Sequence, residues 1–255
     1  MDFSGKRILV TGGTRGIGRA TVESFLRTGA RVAVNGSSEA SVAKAMKELN
    51  RGDRAIAAPG NLGQVADCQQ VVEGAIAKLG GLDVLVNNAG VGGPAKSVEE
   101  TTADEWDATM NVNLRAVYFC TKHAIPALRA AKGNIVNIGS IFGLRGSGTH
   151  DSVYCTSKGG VINLTRDLAV ELAPEIRVNC VCPGYIDTDM LRELGDYLGK
   201  GDVAAGYAKL SEGAPLKRVA RTSEIANTIL YLASDLASFV TGSIHVADGG
   251  AIAKV

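Results

Sequence analysis

Two residues one helical turn apart carry the most pointed chemistry in this chain. Tyr154 and Lys158 stand at i and i+4 in Tyr154-Cys155-Thr156-Ser157-Lys158, so a helix over them projects both side chains from one face. An ammonium beside a phenol favours the phenolate and is expected to draw its pKa of about 10 toward neutrality. Tyr154 then becomes a general acid/base. Such pairs also arise by accident on helix surfaces. Ser140 weighs against accident here, because it ends an apolar run and the loop after it can return its hydroxyl to the tyrosine.

A second constellation opens the chain. Arg7–Thr11 reads as a strand and runs into Thr11-Gly12-Gly13-Thr14-Arg15-Gly16-Ile17-Gly18, where a helix begins. Glycines let such a loop turn sharply and approach a pyrophosphate, whose charge suits the unpaired N–H groups of a helix N-terminus. The spacing is neither the common GxGxxG nor a phosphate-binding loop ending in Lys-Ser/Thr. A tight strand-to-helix turn with no ligand would read the same way. Asn87-Asn88-Ala89-Gly90 closes another apolar run, at the strand end where ligands of open α/β sheets bind. Asn88 is equally suited to holding neighbouring backbone together.

The elements that must position these residues follow from hydropathy. Arg7–Thr11, Arg31–Asn35, Arg54–Ala58, Asp83–Asn87, Asn134–Gly139, Arg177–Cys182 and Ser243–Ala247 read as strands, several apolar on both faces as in a covered parallel sheet. Between them lie helical patterns over Ile17–Thr28, Glu39–Arg51, Gln64–Leu79, Thr102–Leu128, Val153–Ala173 and Ser223–Leu232. This alternation predicts an α/β fold with one doubly wound parallel sheet and helices on both faces. No linker or repeat interrupts it, so residues 1–255 read as a single domain. The exception is Asp187–Pro215, rich in glycine, charge and tyrosine with no clean period, which reads as an irregular lid.

Composition excludes several alternatives. Lys and Arg number 27 against 26 Asp and Glu, so no basic field invites nucleic acid. Aromatic residues are only 5%, too few for a stacking platform. Glycine, at 32 of 255, far exceeds the usual share of about 7%, which suggests many tight turns and close backbone approaches. The five cysteines form no CxxC and only three histidines could join them, so no metal site is expected. Reduced thiols, no signal peptide in Met1–Val10 and no long apolar run predict a soluble cytoplasmic protein with no membrane contact. Cys155 reads as a small helix residue and His150 as polar loop.

Taken in order along the chain, these motifs resemble the short-chain dehydrogenase/reductases. Gly12, Gly16 and Gly18 match the family's TGxxxGxG, Asn87–Gly90 its NNAG, and Asn113 its helix asparagine. Ser140 matches the catalytic serine, Tyr154 and Lys158 its YxxxK, and Pro183-Gly184 the turn after the sixth strand. The resemblance implies a Rossmann enzyme moving hydride between a nicotinamide and a carbonyl or alcohol. It assigns proton donation to Tyr154, carbonyl polarisation to Ser140, and ribose contact to Lys158. To Asn113 it gives a water that relays protons. Cofactor contacts fall to Gly12, Thr14, Arg15, Gly16, Ile17, Gly18, Ser37, Asn61, Leu62, Asn88, Ala89 and Gly90, to Tyr154 and Lys158 themselves, and on the nicotinamide side to Pro183, Gly184, Ile186 and Thr188. A homotetramer is implied, built through Thr102–Leu128, Val153–Ala173 and Ser243–Val255.

Cofactor and substrate choice are narrower questions. Gly36 stands where NAD-preferring relatives usually place Asp, and Arg15 matches a basic position common in NADP-preferring ones. Ser37 and Ser38 can donate to the extra phosphate. NADP(H) is therefore favoured, with NAD(H) the alternative, and Asn61 replaces an Asp that many relatives have near the adenine. The chain is similar to 3-oxoacyl-(acyl-carrier-protein) reductases, and Arg129 and Lys132 suit an acidic carrier protein. Their second basic position falls instead in Glu171-Leu172-Ala173-Pro174-Glu175. A small-molecule carbonyl or secondary alcohol is the favoured substrate, with Tyr197, Leu198, Tyr207 and Leu210 as lid residues that either line its pocket or simply pack. An NAD-dependent alcohol or hydroxysteroid-type dehydrogenase is another alternative. A non-catalytic dinucleotide-binding scaffold would have no need of Ser140, Tyr154 and Lys158.

Overall fold

Along the central strands every residue faces a helix layer, and the faces alternate. In a computed structural model that describes residues 1–253, β1 (Arg7–Val10) turns Ile8 and Val10 to one core and Leu9 to the other. β2 (Arg31–Gly36) does the same with Val32 and Val34 against Ala33, and β4 (Val84–Asn87) with Val84 and Val86 against Leu85. A period of two with both faces buried reads as an unbroken apolar run. That is why these strands lack a polar face in the sequence.

The remaining strands are β3 (Ala55–Pro59), β5 (Asn134–Ile138), β6 (Arg177–Pro183) and β7 (Ile244–Ala247). All seven pair in parallel, in the order β3-β2-β1-β4-β5-β6-β7. One core layer gathers Val22 and Phe25 of α1 (Gly16–Arg27), Leu49 of α2 (Glu39–Leu49) and Ile225 and Ile229 of the helix Thr222–Ala233. The other gathers Val71 of α3 (Val65–Leu79), Cys120 of the helix Ala116–Ala131 and Leu168 of the helix Ser152–Glu171. Strand order reverses at β1, between β2 and β4. A crevice opens there at the strands' C-terminal ends.

Each predicted strand is present to within a residue or so. The helical pattern over Thr102–Leu128 resolves into α4 (Ala103–Met110), one wide π-turn (Asn111–Arg115) and α5 (Ala116–Ala131). The helix Ser152–Glu171 is α6. The predicted irregular lid is a correction: Asp187–Pro215 holds two helices, α7 (Asp189–Gly199) and α8 (Val203–Gly213), ahead of α9 (Thr222–Ala233). They pack through glycine. A Cβ on Gly195 would lie 2.9 Å from the Tyr207 ring, and one on Gly199 would lie 2.8 Å from the Gly206 nitrogen. A helix contact made of glycine backbone leaves no trace in hydropathy.

Beneath the site, buried amides tie the sheet to its helices. Asn87 Nδ2 donates to Asn137 Oδ1 at 2.9 Å and to Thr121 Oγ1 at 3.2 Å, and Asn137 Nδ2 donates to Thr165 Oγ1 at 3.0 Å. The link runs from β4 and β5 into α5 and α6 by direct side-chain hydrogen bonds, and Asn87 Oδ1 is left without a partner. Removing one member strands its partner's polar atom, at about 1–3 kcal/mol. Asn137→Ala is therefore expected to lower unfolding stability by that amount in denaturant titration. An unchanged midpoint would show that the network is not stabilising.

Candidate active site

The glycine loop is clasped from the neighbouring strand. Thr11 Oγ1 accepts from the backbone N–H of Asn88 at 2.9 Å and of Ala89 at 3.0 Å, while Asn88 Nδ2 donates to the Thr11 and Gly12 carbonyls at 2.9 and 3.0 Å. Asn88 thus holds backbone. Gly12, with φ +61°, has no room for a side chain, since a Cβ would fall 2.9 Å from the Ala89 Cα. A Cβ on Gly18 would overlap the Gly12 carbonyl. No side chain caps α1 and no acid sits in its first turn, so its N-terminal N–H groups stay open in this cradle. The cradle fits a pyrophosphate.

Around it the predicted contacts divide. Thr14, Gly16 and half-buried Gly90 border the crevice, and the Thr188 methyl lies 3.3 Å from the point where a Cβ on Gly16 would stand. Thr188 also caps α7, accepting from the Leu191 N–H at 3.3 Å. Arg15 and Ser37 are exposed, and the Arg15 guanidinium reaches Asp189 at 3.6 Å. Ser38 is occupied as the cap of α2, accepting from the Ser41 N–H at 3.2 Å. Asn61 folds over its own turn, accepting from the Gly63 N–H at 3.2 Å. The side chains of Leu62 and Ile186 turn away from the crevice, which leaves their backbone as the part that can meet a cofactor. Both are buried in the two helix-facing cores, Ile17 leans on one of these, and Pro183 is buried at the end of β6. Gly184 donates its N–H to the Ala247 carbonyl at 3.1 Å.

Ser140, Tyr154 and Lys158 do converge. Ser140 lies two residues beyond β5 and caps a short turn, Ile141–Gly143, that lies directly on α6. A Cβ on Gly143 would come within 2.8 Å of the Lys158 carbonyl oxygen. Only glycine permits that approach, and it brings the Ser140 hydroxyl to the phenol. Gly143 was not anticipated, although the glycine excess pointed to such approaches. The Lys158 ammonium is 5.7 Å from the Tyr154 ring centroid and donates to the Ile138 carbonyl at 3.0 Å. Asn113, in the π-turn, is fully buried and fully engaged. Its Oδ1 accepts from the Val91 N–H at 2.8 Å, and its Nδ2 donates to the Val91 carbonyl at 2.9 Å and to Ser157 Oγ at 3.1 Å.

The electrostatics reverse the expected direction for tyrosine. Burial pushes the Tyr154 phenol up to about 12; the Ser140 hydroxyl pulls it down and the Asp151 charge adds to the rise. Burial also brings Lys158 down to about 8, against weaker upward pulls from Cys180 and Cys182. Desolvation outweighs the pairing that spacing suggested. Both groups are thereby biased to their neutral forms.

With fold and site in hand, the comparisons are direct. Residues 12–251 match the family described as Enoyl-(Acyl carrier protein) reductase. The chain is 38% identical over 261 residues to a 3-oxoacyl-(acyl-carrier-protein) reductase of Thermotoga maritima, covering 99% of this chain and 100% of that one. It is 37% identical over 250 residues to the L-fucose dehydrogenase of Mus musculus, covering 98% and 89%. The solved structure of a short-chain glucose/ribitol dehydrogenase from Brucella melitensis superposes with a TM-score of 0.90 at 33% identity, covering 98% and 99%. The chain belongs to the short-chain dehydrogenase/reductase family, a family of oxidoreductases that bind a nicotinamide dinucleotide and act on alcohols and carbonyls. No helix of the described residues is long and apolar enough to cross a membrane.

A lysine pKa lowered from 10.5 to about 8 has a consequence for stability. Between those values the unfolded chain binds the proton and the folded one does not, so this group's contribution rises with pH through that window. Below it, the fold carries a buried charge. Lys158→Met is expected to melt above the wild type at pH 7, with the gap closing as pH climbs toward 10. A lower melting temperature at pH 7 would show that the ammonium is net stabilising where it sits.

Proposed function

We propose that this protein is an NADP(H)-dependent oxidoreductase that interconverts a small carbonyl compound and its secondary alcohol, with Tyr154 as general acid/base. The convergence of Ser140, Tyr154 and Lys158 beside an open glycine cradle carries the reading. In the reductive direction Ser140 donates a hydrogen bond to the substrate oxygen and stabilises its growing charge. Tyr154, which burial keeps protonated at neutral pH, gives its proton to the same oxygen. The bound nicotinamide supplies or takes up the hydride. Lys158 lies behind the phenol, with Ile138 fixing its ammonium for ribose contact. With its side chain engaged by Val91 and Ser157, Asn113 holds the loop after β4 against α6, and any water it relays through rests on its backbone.

Preference for NADP(H) rests on the end of β2. No acid stands there, and a side chain at Gly36 would press on the Thr14 methyl at 2.6 Å and on Ser41 Oγ at 2.9 Å. The Arg15–Asp189 pair is long and exposed, a class of interaction worth about 0–1 kcal/mol, so a 2′-phosphate readily draws the guanidinium away. A small substrate is favoured over an acyl carrier protein because Glu175 already pairs with Arg129 at 3.5 Å, which lowers the positive potential an acidic carrier would need. The names of the fucose and glucose/ribitol dehydrogenases agree with hydroxyl-bearing substrates.

The α7–α8 pair is read as the substrate lid, though Tyr197 faces solvent and Tyr207 donates to Asp187 Oδ1 at 3.0 Å. A homotetramer through α4–α6 suits the cavity of about 790 Å³ on their outer face, which Leu114, Tyr118 and Leu164 help to line. The last two residues of the Ser243–Val255 segment, also assigned to that assembly, lie outside the described residues. Five unpaired thiols suit the cytoplasm.

Two substitutions test the reading. Tyr154→Phe is expected to reduce turnover by about 10²–10⁴-fold while NADPH binding, followed by fluorescence titration, stays near wild type. Retained turnover removes the tyrosine from its role. Arg15→Ala is expected to weaken NADPH by about tenfold and NADH hardly at all, the loss of one exposed charge-assisted contact. Equal losses for the two would argue that the guanidinium does not read the 2′-phosphate.

A further inference from the structure

We infer that Asp151 is a specificity-determining residue, whose carboxylate accepts a hydrogen bond from a second hydroxyl of the substrate, next to the carbon that reacts at Tyr154. The inference rests on the oxidoreductase reading of the site and adds to it the substrate class: hydroxyketones and the vicinal diols they form.

Asp151 immediately precedes α6, at the position where a short polar side chain ordinarily caps the helix. It makes no such bond. Thr102, Thr188 and Asp202 all cap their own helices, so the fold uses this device elsewhere. Asp151 Oδ1 is shut away from solvent with no hydrogen-bond partner. An acceptor left this way costs about 1–3 kcal/mol, which a capping Ser or Asn at the same place would avoid. Burial alone raises the pKa of this carboxyl, with no cation near enough to act against it.

The unsatisfied group sits at the reacting centre. Its charge acts directly on the Tyr154 phenol. Gly93, in the loop after β4, packs over both residues: a Cβ there would overlap Asp151 Oδ1 and lie 3.2 Å from the Tyr154 Cβ. Gly93, Asp151 and Tyr154 therefore form one corner, closed on the strand side by Ser140. The carboxylate faces Gly93, on the side where Gly93 also meets Tyr154. An ionised carboxylate can only accept, so its missing partner is a donor, and the group repels anionic substrates. A substrate whose oxygen is held by Ser140 and Tyr154 presents a neighbouring hydroxyl to this corner. Sites that hydrogen-bond a substrate hydroxyl discriminate strongly against the analogue that lacks it, because their own polar group is then left unpaired.

The test compares matched pairs, 3-hydroxy-2-butanone against 2-butanone and dihydroxyacetone against acetone, with saturating NADPH or NADH. Wild type is expected to favour the hydroxyketone of each pair in kcat/KM by about tenfold or more. Asp151→Ala should lose that preference, with the hydroxyketone of each pair falling further than the plain ketone and mainly in KM, while any change from removing a charge beside Tyr154 falls on both members alike and leaves the ratio untouched. Asp151→Asn, which keeps one acceptor oxygen, should recover part of it. NADPH titration of both variants should match wild type, and neither should melt below it, since Asp151 has no protein partner to lose and Asp151→Ala removes an unpaired acceptor. Equal losses on both members of a pair, or an unchanged ratio, overturn the role of Asp151 and leave the oxidoreductase reading standing. Turnover of no ketone by the wild type with either cofactor overturns that reading, and the assignment of Asp151 with it.

Discussion

Lys158 is only 5% exposed and keeps its ammonium on the Ile138 carbonyl at 3.0 Å, and the corner where Ser140 meets Tyr154 takes its shape from that contact. A cation so placed is desolvated on most sides, and only a well-directed acceptor makes the position tolerable. Ile138 is the last residue of β5, so the bond pins the first half of α6 to the strand end. With the helix pinned there, the chain leaving β5 has to cross its backbone at close range. Gly143 allows this crossing, and Ser140 is carried to the phenol by it. Ser157, one residue before the lysine, donates to the Tyr154 carbonyl at 2.8 Å and accepts from Asn113. The π-turn, the loop after β4 and α6 are thus locked to one another around a single buried charge.

The same arrangement accounts for the two displaced pKa values. Tyr154 and Lys158 share one desolvated space, and each is shifted toward its neutral form, to about 12 and about 8. Spacing on a helix shows that two groups are neighbours. It does not show how much water surrounds them, and here the missing water decides the sign for tyrosine. A neutral phenol backed by an easily titrated lysine is a proton source, whereas the unburied pair would have leaned toward phenolate.

Legibility in the sequence followed the kind of contact involved. The strands were legible because alternating residues fill two cores, and the glycine loop because its backbone has to approach β4. Ser140, Tyr154 and Lys158 were legible as chemistry and were placed together by the fold. Motif position gave Leu62 and Ile186 a place at the crevice but not the direction of their side chains, which fill the helix-facing cores. The α7–α8 pair went unseen because Gly195, Gly199 and Gly206 make its seam. Asp151 drew no notice because a lone carboxylate before a helix looks like a cap. Only its missing bond and its orphaned oxygen separate it from the ordinary case.

These contrasts divide the molecule into parts of unequal rigidity. The crevice floor is built from buried strands, a buried amide network in which only Asn87 Oδ1 lacks a partner, and a threonine–asparagine clasp. The helices above it place only Gly195, Gly206 and Leu210 among the buried residues. Exposed contacts tie them down: Arg192 to Asp187 at 3.1 Å, Tyr207 to the same carboxylate, and Asp189 to Arg15 of the glycine loop. Segments held by few buried contacts are those that open at the least free-energy cost. The crevice therefore borders the most easily displaced element, while Ser140, Tyr154 and Lys158 belong to the least. Since Arg15 belongs to the glycine loop and Asp189 to α7, the only ion pair joining the two among the described residues is a long, exposed contact of 3.6 Å.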